Sequence, residues 1–232
     1  MDAPITYDAY LEVDQSGRWQ ASILDLTGCF AYGASEAEAL AALVAAIPGY
    51  YAWLKAHDDY TPDVHGPWQV TPRETFRTIM VGGNEVRAFF APDAQPVDDE
   101  ELDWGLALLQ WAVEDLAALL RGQPESALDR PPPAGGWSMR KVLEHLTNEQ
   151  FWYVTRLDNS PGAPPIAANA GASLAQLQQI AAACVSRLRG ASDAQRVAVT
   201  ELQGERWSLR KIIRRSVWHV RDHTAQIRQL LR

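Results

Sequence analysis

The sequence predicts an α+β protein: a small N-terminal α/β domain over residues 1–95, then an all-α four-helix bundle over residues 97–232. Three observations carry this. Between Ile5 and Leu24 apolar residues alternate with period two, as in half-buried strands. Later segments place apolar residues at helical spacing between Pro- and Gly-rich breaks. Between the two patterns lies Ala91-Pro92-Asp93-Ala94-Gln95-Pro96, a linker by its prolines.

In the first part, Ile5 to Val13 reads as a strand and Gln15-Ser16-Gly17 as a turn. Trp19 to Leu24 is a second strand with Trp19, Ala21 and Ile23 on one face. Cys29 to Tyr32 is a short third strand ending at Gly33. Ser35, with Glu38 three residues on, is a capping box, each side chain satisfying an otherwise unpaired backbone N–H. The helix it opens runs toward His57, with a bend expected at Pro48. Thr75 to Val81 and Glu85 to Phe90 flank Gly82-Gly83-Asn84, an extra β-hairpin beyond the three-stranded sheet.

After the linker, Asp98 to Arg121 is the first bundle helix, with acids in the first turn where the helix dipole favours them. Pro131 to Gly136 breaks the chain. Ser138 caps a second helix to about Leu157, Pro161 to Pro165 breaks again, and Ser173 to Arg189 and Ser208 to Arg232 complete the four. Trp137-Ser138-Met139-Arg140-Lys141-Val142-Leu143 recurs as Trp207-Ser208-Leu209-Arg210-Lys211-Ile212-Ile213. In both, Trp precedes an N-capping Ser and can pack back as a staple. Helices that start alike are expected to hold related positions, letting their inner faces meet.

Composition narrows the function. Of 232 residues, 47% are hydrophobic and 22% charged, ordinary for a globular chain and unlike a disordered one. A net charge of -8 argues against general affinity for nucleic acid or anionic membrane, and the Arg-rich outer face of the last helix reads as solvated. Cys29 and Cys184 form no disulfide framework and lack metal-motif spacing, which suits a reducing cytosol. The N-terminus lacks a signal-peptide pattern, and Ala37 to Trp53, broken by Pro48-Gly49, is too short and Ala-rich for a membrane span. A cytoplasmic protein is expected.

His219 and His223 lie four apart on one helix, about 40° from each other around its axis. With His145 from a facing helix they make a three-nitrogen metal site with open positions. A lone histidine is more often a hydrogen-bonded core or surface residue; three in this arrangement favour metal. Neutral imidazoles suit a divalent zinc, nickel or iron. Around His219, Ile212, Arg215, Gln226 and Leu230 fall on the same face, while Arg210, Arg214, Arg221, Arg228 and Arg232 lie opposite. Lys141, Glu149, Trp152 and Arg156 share a face with His145, with Asn148 close by. Glu149 reads equally as a general base, a partner orienting a histidine, or a salt-bridge residue. Arg215 reads as binding an anionic substrate or thiol, or as pairing with Glu149. Asn148, Asp222 and Gln226 are candidates to orient the ligands, and Trp152 and Trp218 to line a substrate pocket.

Three elements of the second half, Gly136-Trp137-Ser138, Leu143-Glu144-His145-Leu146 and His219-x-x-x-His223-x-x-Gln226-Ile227, resemble the DinB-like family of metal-binding four-helix bundles over residues 97–232. The resemblance implies a divalent metal on His145, His219 and His223. It also implies kinship with transferases and isomerases that use low-molecular-weight thiols, and a homodimer. The first half resembles the HicB-like fold of antitoxins on Tyr10-Leu11-Glu12, Gly17, Asp25-Leu26-Thr27-Gly28-Cys29, Gly33 and Glu36-Ala37-Glu38-Ala39-Leu40, covering about residues 5–60. Two readings follow. In one the chain is a metal-dependent transferase or hydrolase acting on a small molecule. In the other it is a regulatory protein whose HicB-like half binds a protein partner and whose metal is structural.

Overall fold

A computed structural model describes residues 3–59, 61–132, 135–158 and 172–232. The expected break at Pro161 to Pro165 lies outside them, as do Pro133 and Ala134 of the earlier one. The chain divides into two compact units: residues up to Asp93 with Gln203–Glu205, and Ala94–Leu202 with Arg206–Arg232.

The first unit is built on β1 (Ile5–Val13), β2 (Trp19–Ile23), β3 (Cys29–Gly33), α1 (Glu36–His57) and β4 (Trp68–Arg77). The three-stranded meander is present, but the sheet has a fourth strand, in the order β3-β2-β1-β4. β1 pairs antiparallel with β2 and parallel with β4. A register shift opposite Ala9/Tyr10 leaves Arg73 as an extra residue beside Pro72. Proline cannot donate to a ladder, and a bulge on an edge strand is where a sheet tolerates it. α1 packs on β3, β2 and β4 and buries Ala39, Leu43, Ile47, Tyr50 and Leu54, while the sheet buries Ala9, Leu11, Val13, Ala21 and Ile23. Full burial of each larger aliphatic side chain is worth roughly 1.5–3 kcal/mol. Ser35 caps α1, and Glu38 answers one residue early, accepting from the Ala34 N–H at 2.9 Å. The helix continues through Pro48.

The hairpin at Gly82-Gly83 forms, but as two three-residue strands, β5 (Ile79–Val81) and β6 (Asn84–Val86). Residues 87–90 are not the expected strand, and the reason is local. The Glu12 carboxylate, 4% exposed, accepts from Arg87 at 2.8 Å and from the Ala88 N–H at 3.2 Å. The Phe90 N–H donates to Asp93 at 2.9 Å. Donors that a ladder would use are committed to side chains.

In the second unit, α2 (Asp99–Leu120), α4 (Met139–Thr155), α5 (Leu174–Arg189) and α7 (Leu209–Leu230) form the four-helix arrangement, near the expected limits. α2 packs on α7 and α5, and α4 on the same two, so each helix has two neighbours. Asp98 and Glu101 form a full capping box on α2, as do Ser173 and Gln176 on α5. Gly105 lets α2 approach α7, because a Cβ there would fall 2.5 Å from Ile213 Cγ2. The second half is not all-α: short helices α3 (Glu125–Leu128) and α6 (Asp193–Val197) lie between the long ones, and a hairpin, β7 (Thr200–Leu202) and β8 (Glu205–Trp207), whose Gln203–Glu205 segment counts with the first unit, leads into α7. Its turn places Gln203 at φ 56 and Gly204 at φ 79, conformations that helical periodicity does not signal. Both cysteines are free and buried, Cys29 at 2% and Cys184 at 3% exposure, and burial pushes the Cys184 thiol up to about 12.

Candidate metal centre

Two matching helix starts place the site. Ser138 accepts from the Lys141 N–H at 3.3 Å and Ser208 from the Lys211 N–H at 3.1 Å, fixing where α4 and α7 begin. The packed helices then bring the inner faces together. His145 comes from α4; His219 and His223 come from successive turns of α7. His145 Nε2 lies 2.9 Å from His219 Nε2, and His223 Nε2 lies 3.1 Å from the same atom. One ligand atom from each of the three residues falls within 4.8 Å of the others.

Proton bookkeeping explains what this arrangement fits. His223 Nδ1 lies 2.6 Å from Gln226 Oε1, an acceptor, so Nδ1 carries the hydrogen and Nε2 of the neutral ring presents a lone pair. His219 Nε2 can supply at most one hydrogen, yet it makes two short contacts. A cation shared by the three nitrogens satisfies all of them. Nitrogens about 2.1 Å from one ion stand roughly 3 Å apart when their bonds meet at a right angle, close to both contacts. Electrostatics agrees. Burial, then the neighbouring His223 and Lys141 charges, lowers His145 to about 4. Burial also lowers His223, against smaller opposing effects of Gln226 and Asp222. Neutral imidazoles are the form that binds a metal.

The other expected residues divide. Gln226 orients His223 directly, and Asp222 acts on it through its charge. Asn148 and Glu149 lie one turn beyond His145 and are half-buried. Trp218 stacks on His219, centroids 5.6 Å apart and planes 22° apart. The Arg215 guanidinium lies 4.0 Å over the Trp218 ring, with Nη2 3.4 Å from the Tyr153 hydroxyl and only 5% of the residue exposed. Trp152 instead packs edge-on against Trp207 at 5.2 Å, under the Arg156 guanidinium.

Two residues beside the histidines escaped the sequence reading. Trp137 meets His145 edge-on at 4.8 Å and stacks near-parallel to His223 at 6.3 Å, while staying 41% exposed. Gly135 and Gly136, at φ +80 and +103, make the turn that presents it. Tyr153 meets His219 edge-on at 5.7 Å. The signal was available in the internal echo. Its offset, from 137 to 207, carries His145 to Arg215, Glu149 to His219 and Tyr153 to His223. Two corresponding helix faces thus supply the groups around the site.

The sequence profile of the DinB superfamily matches residues 108–227, more than half of the chain. The protein belongs to the DinB superfamily. The DinB region contains all three histidines, Gln226 and both helix starts; residues 1–107 lie outside it, so the HicB-like reading gains no support from the match. Among solved structures, YfiT from Bacillus subtilis, described as a probable metal-dependent hydrolase with an unusual four-helix bundle topology, is 22% identical at a TM-score of 0.47. The similarity covers 59% of this DinB protein and 89% of YfiT. No curated protein matches the chain.

Proposed function

We propose that the chain is a metal-dependent enzyme acting on a small molecule, a thiol-dependent transferase or a hydrolase, with His145, His219 and His223 holding a divalent zinc, nickel or iron ion. The observation that carries the reading is the pair of short contacts at His219 Nε2, with His223 fixed by Gln226 in the lone-pair tautomer. A divalent ion held by three protein ligands supplies Lewis acidity at its open positions, lowering the pKa of water or a thiol there. The chain's own groups do the rest. The Glu149 carboxylate, one turn from His145, takes the proton of the incoming nucleophile. Trp137 forms an aromatic wall that packs the substrate and excludes water. Trp218 and Arg215 brace the His219 ring from behind, and Trp152 serves the core against Trp207.

Metal analysis of the purified protein is the first test. About one divalent ion per chain is expected, lost in His145→Ala with the helical spectrum retained; absence of stoichiometric metal at neutral pH defeats the reading. A thiol-conjugation and hydrolysis screen follows. Glu149→Gln is expected to lower turnover by about 10²-fold or more while leaving the metal bound.

For residues 5–60 we propose a HicB-like domain in the cytoplasm, supported by the β1-β2-β3 meander, the α1 crossover and the return of β4 parallel to β1. This topology favours a second reading, in which that domain docks a protein partner and the metal stiffens the bundle. A stable partner in a pull-down, with metal removal lowering Tm but affecting no reaction in the screen, would select it.

A further inference from the structure

We propose that Tyr153 is a positioning residue for the metal centre: it closes a loop of side chains around His219 and ties that ligand to the helix that carries His145. The proposal rests on the three-histidine reading and concerns what holds its central ligand. His219 Nε2 meets both other imidazoles, at 2.9 and 3.1 Å, so a small turn of this one ring disturbs both contacts. Its own helix supplies part of its support. Trp218 stacks on it at 5.6 Å, and the Arg215 guanidinium lies 4.0 Å over the Trp218 ring. Both belong to α7 and move with His219.

Tyr153 comes from α4, about two turns beyond His145. Its ring meets His219 edge-on at 5.7 Å with planes 77° apart, and its hydroxyl accepts from Arg215 Nη2 at 3.4 Å. Imidazole, indole, guanidinium and phenol thus follow one another in a closed loop, and the phenol is its member on the facing helix. Such a loop resists rotation of the imidazole, because a turn must break a stack or an edge contact. It also links α4 to α7 beside the histidines. Burial makes the polar link count. Tyr153 is 3% exposed and Arg215 5%, so a guanidinium hydrogen that loses the hydroxyl cannot turn to bulk water instead. The phenol is held in turn by Trp152 at 5.6 Å and Trp207 at 5.9 Å. Core filling needs only its ring; the hydroxyl and its link to Arg215 separate positioning from packing.

Zinc affinity of the full chain, measured by competition with a chromophoric chelator, tests this, with visible absorption of the cobalt-loaded protein as a second readout. Tyr153→Phe removes only the hydroxyl. It is expected to bind zinc about tenfold or more weakly and to shift the cobalt bands, with the helical spectrum retained. Thr147→Val is the control. It removes another fully buried hydroxyl of α4, one bonded to the Leu143 carbonyl at 2.7 Å and outside the loop, and is expected to leave zinc affinity unchanged. Arg215→Lys keeps the charge but loses the planar face over Trp218, and is expected to weaken zinc binding to a similar degree. Combined with Tyr153→Phe it should add little, because both break the same link. If Arg215→Lys does not fold, Trp218→Phe takes its place. Wild-type affinity and cobalt bands in Tyr153→Phe, an equal loss in Thr147→Val, or full additivity in the double variant overturns the proposal while leaving the metal site standing. A wild type that binds no metal defeats the three-histidine reading and the proposal with it.

Discussion

The start of α4 and the start of α7 share Trp, Ser, Arg and Lys at the same spacing, yet they have different fates. Trp207 is 2% exposed, between Trp152, Tyr153 and the ammonium of Lys211; Trp137 is 41% exposed, against two imidazoles. Lys211 is fully buried, its Nζ donating to the Arg206 carbonyl at 2.9 Å, whereas Lys141 pairs with Glu144 at the surface. Arg140 binds Asp129 and Glu125, and Arg210 binds Glu101 and the Pro96 carbonyl, so both arginines clamp their helix to neighbouring chain. Arg210 is therefore not part of a purely solvated face. The local motif decides where each helix begins. Tertiary burial decides whether its tryptophan becomes core or stays exposed beside the histidines.

The largest expected contrast follows from that difference. Trp207→Ala should cost about 3–5 kcal/mol in urea unfolding, while Trp137→Ala should cost well under about 1 kcal/mol. Equal costs would mean that the two tryptophans share a role. Seven residues beyond each capping serine the comparison becomes chemical: His145 on one helix, Arg215 on the other. Only the imidazole titrates in the accessible range. The unfolded chain protonates His145 near its ordinary 6.5, but the folded chain resists until about 4. Stability of the metal-free protein is thus full above pH 6.5 and falls as pH drops through that window, by up to about 3 kcal/mol. Urea midpoints from pH 7 to 4 in chelator measure this, and His145→Leu should flatten the decline. The smallest contrast concerns the caps. Ser138→Ala and Ser208→Ala should each cost about 1 kcal/mol, with the larger loss at Ser208, which is 7% exposed.

Elements with strong periodicity and explicit caps were legible in the sequence: α1, the four long helices, the three-stranded meander and the turn at Gly82-Gly83. So was the convergence of His145, His219 and His223, because spacing on a helix fixes direction and the repeated start implied facing helices. β4 was missed because Pro72 and alternating polar residues look unlike a strand until an edge and a bulge accommodate them. The β7–β8 hairpin escaped because three-residue strands leave too few positions for a period. Residues 87–90 looked like a strand, but Glu12, far away in sequence, takes the Ala88 N–H, and Asp93 takes that of Phe90. Trp137 was read as a capping contact because its exposure depends on packing between helices, which no local pattern encodes.

Both native thiols are enclosed, one beneath the α1 crossover and one within the bundle, and the second resists ionisation to about 12. Reagents that attack ionised sulfur will therefore find little native target. A cysteine introduced at the surface can report its own environment, and consumption of an added thiol can be credited to turnover rather than to scavenging by the polypeptide.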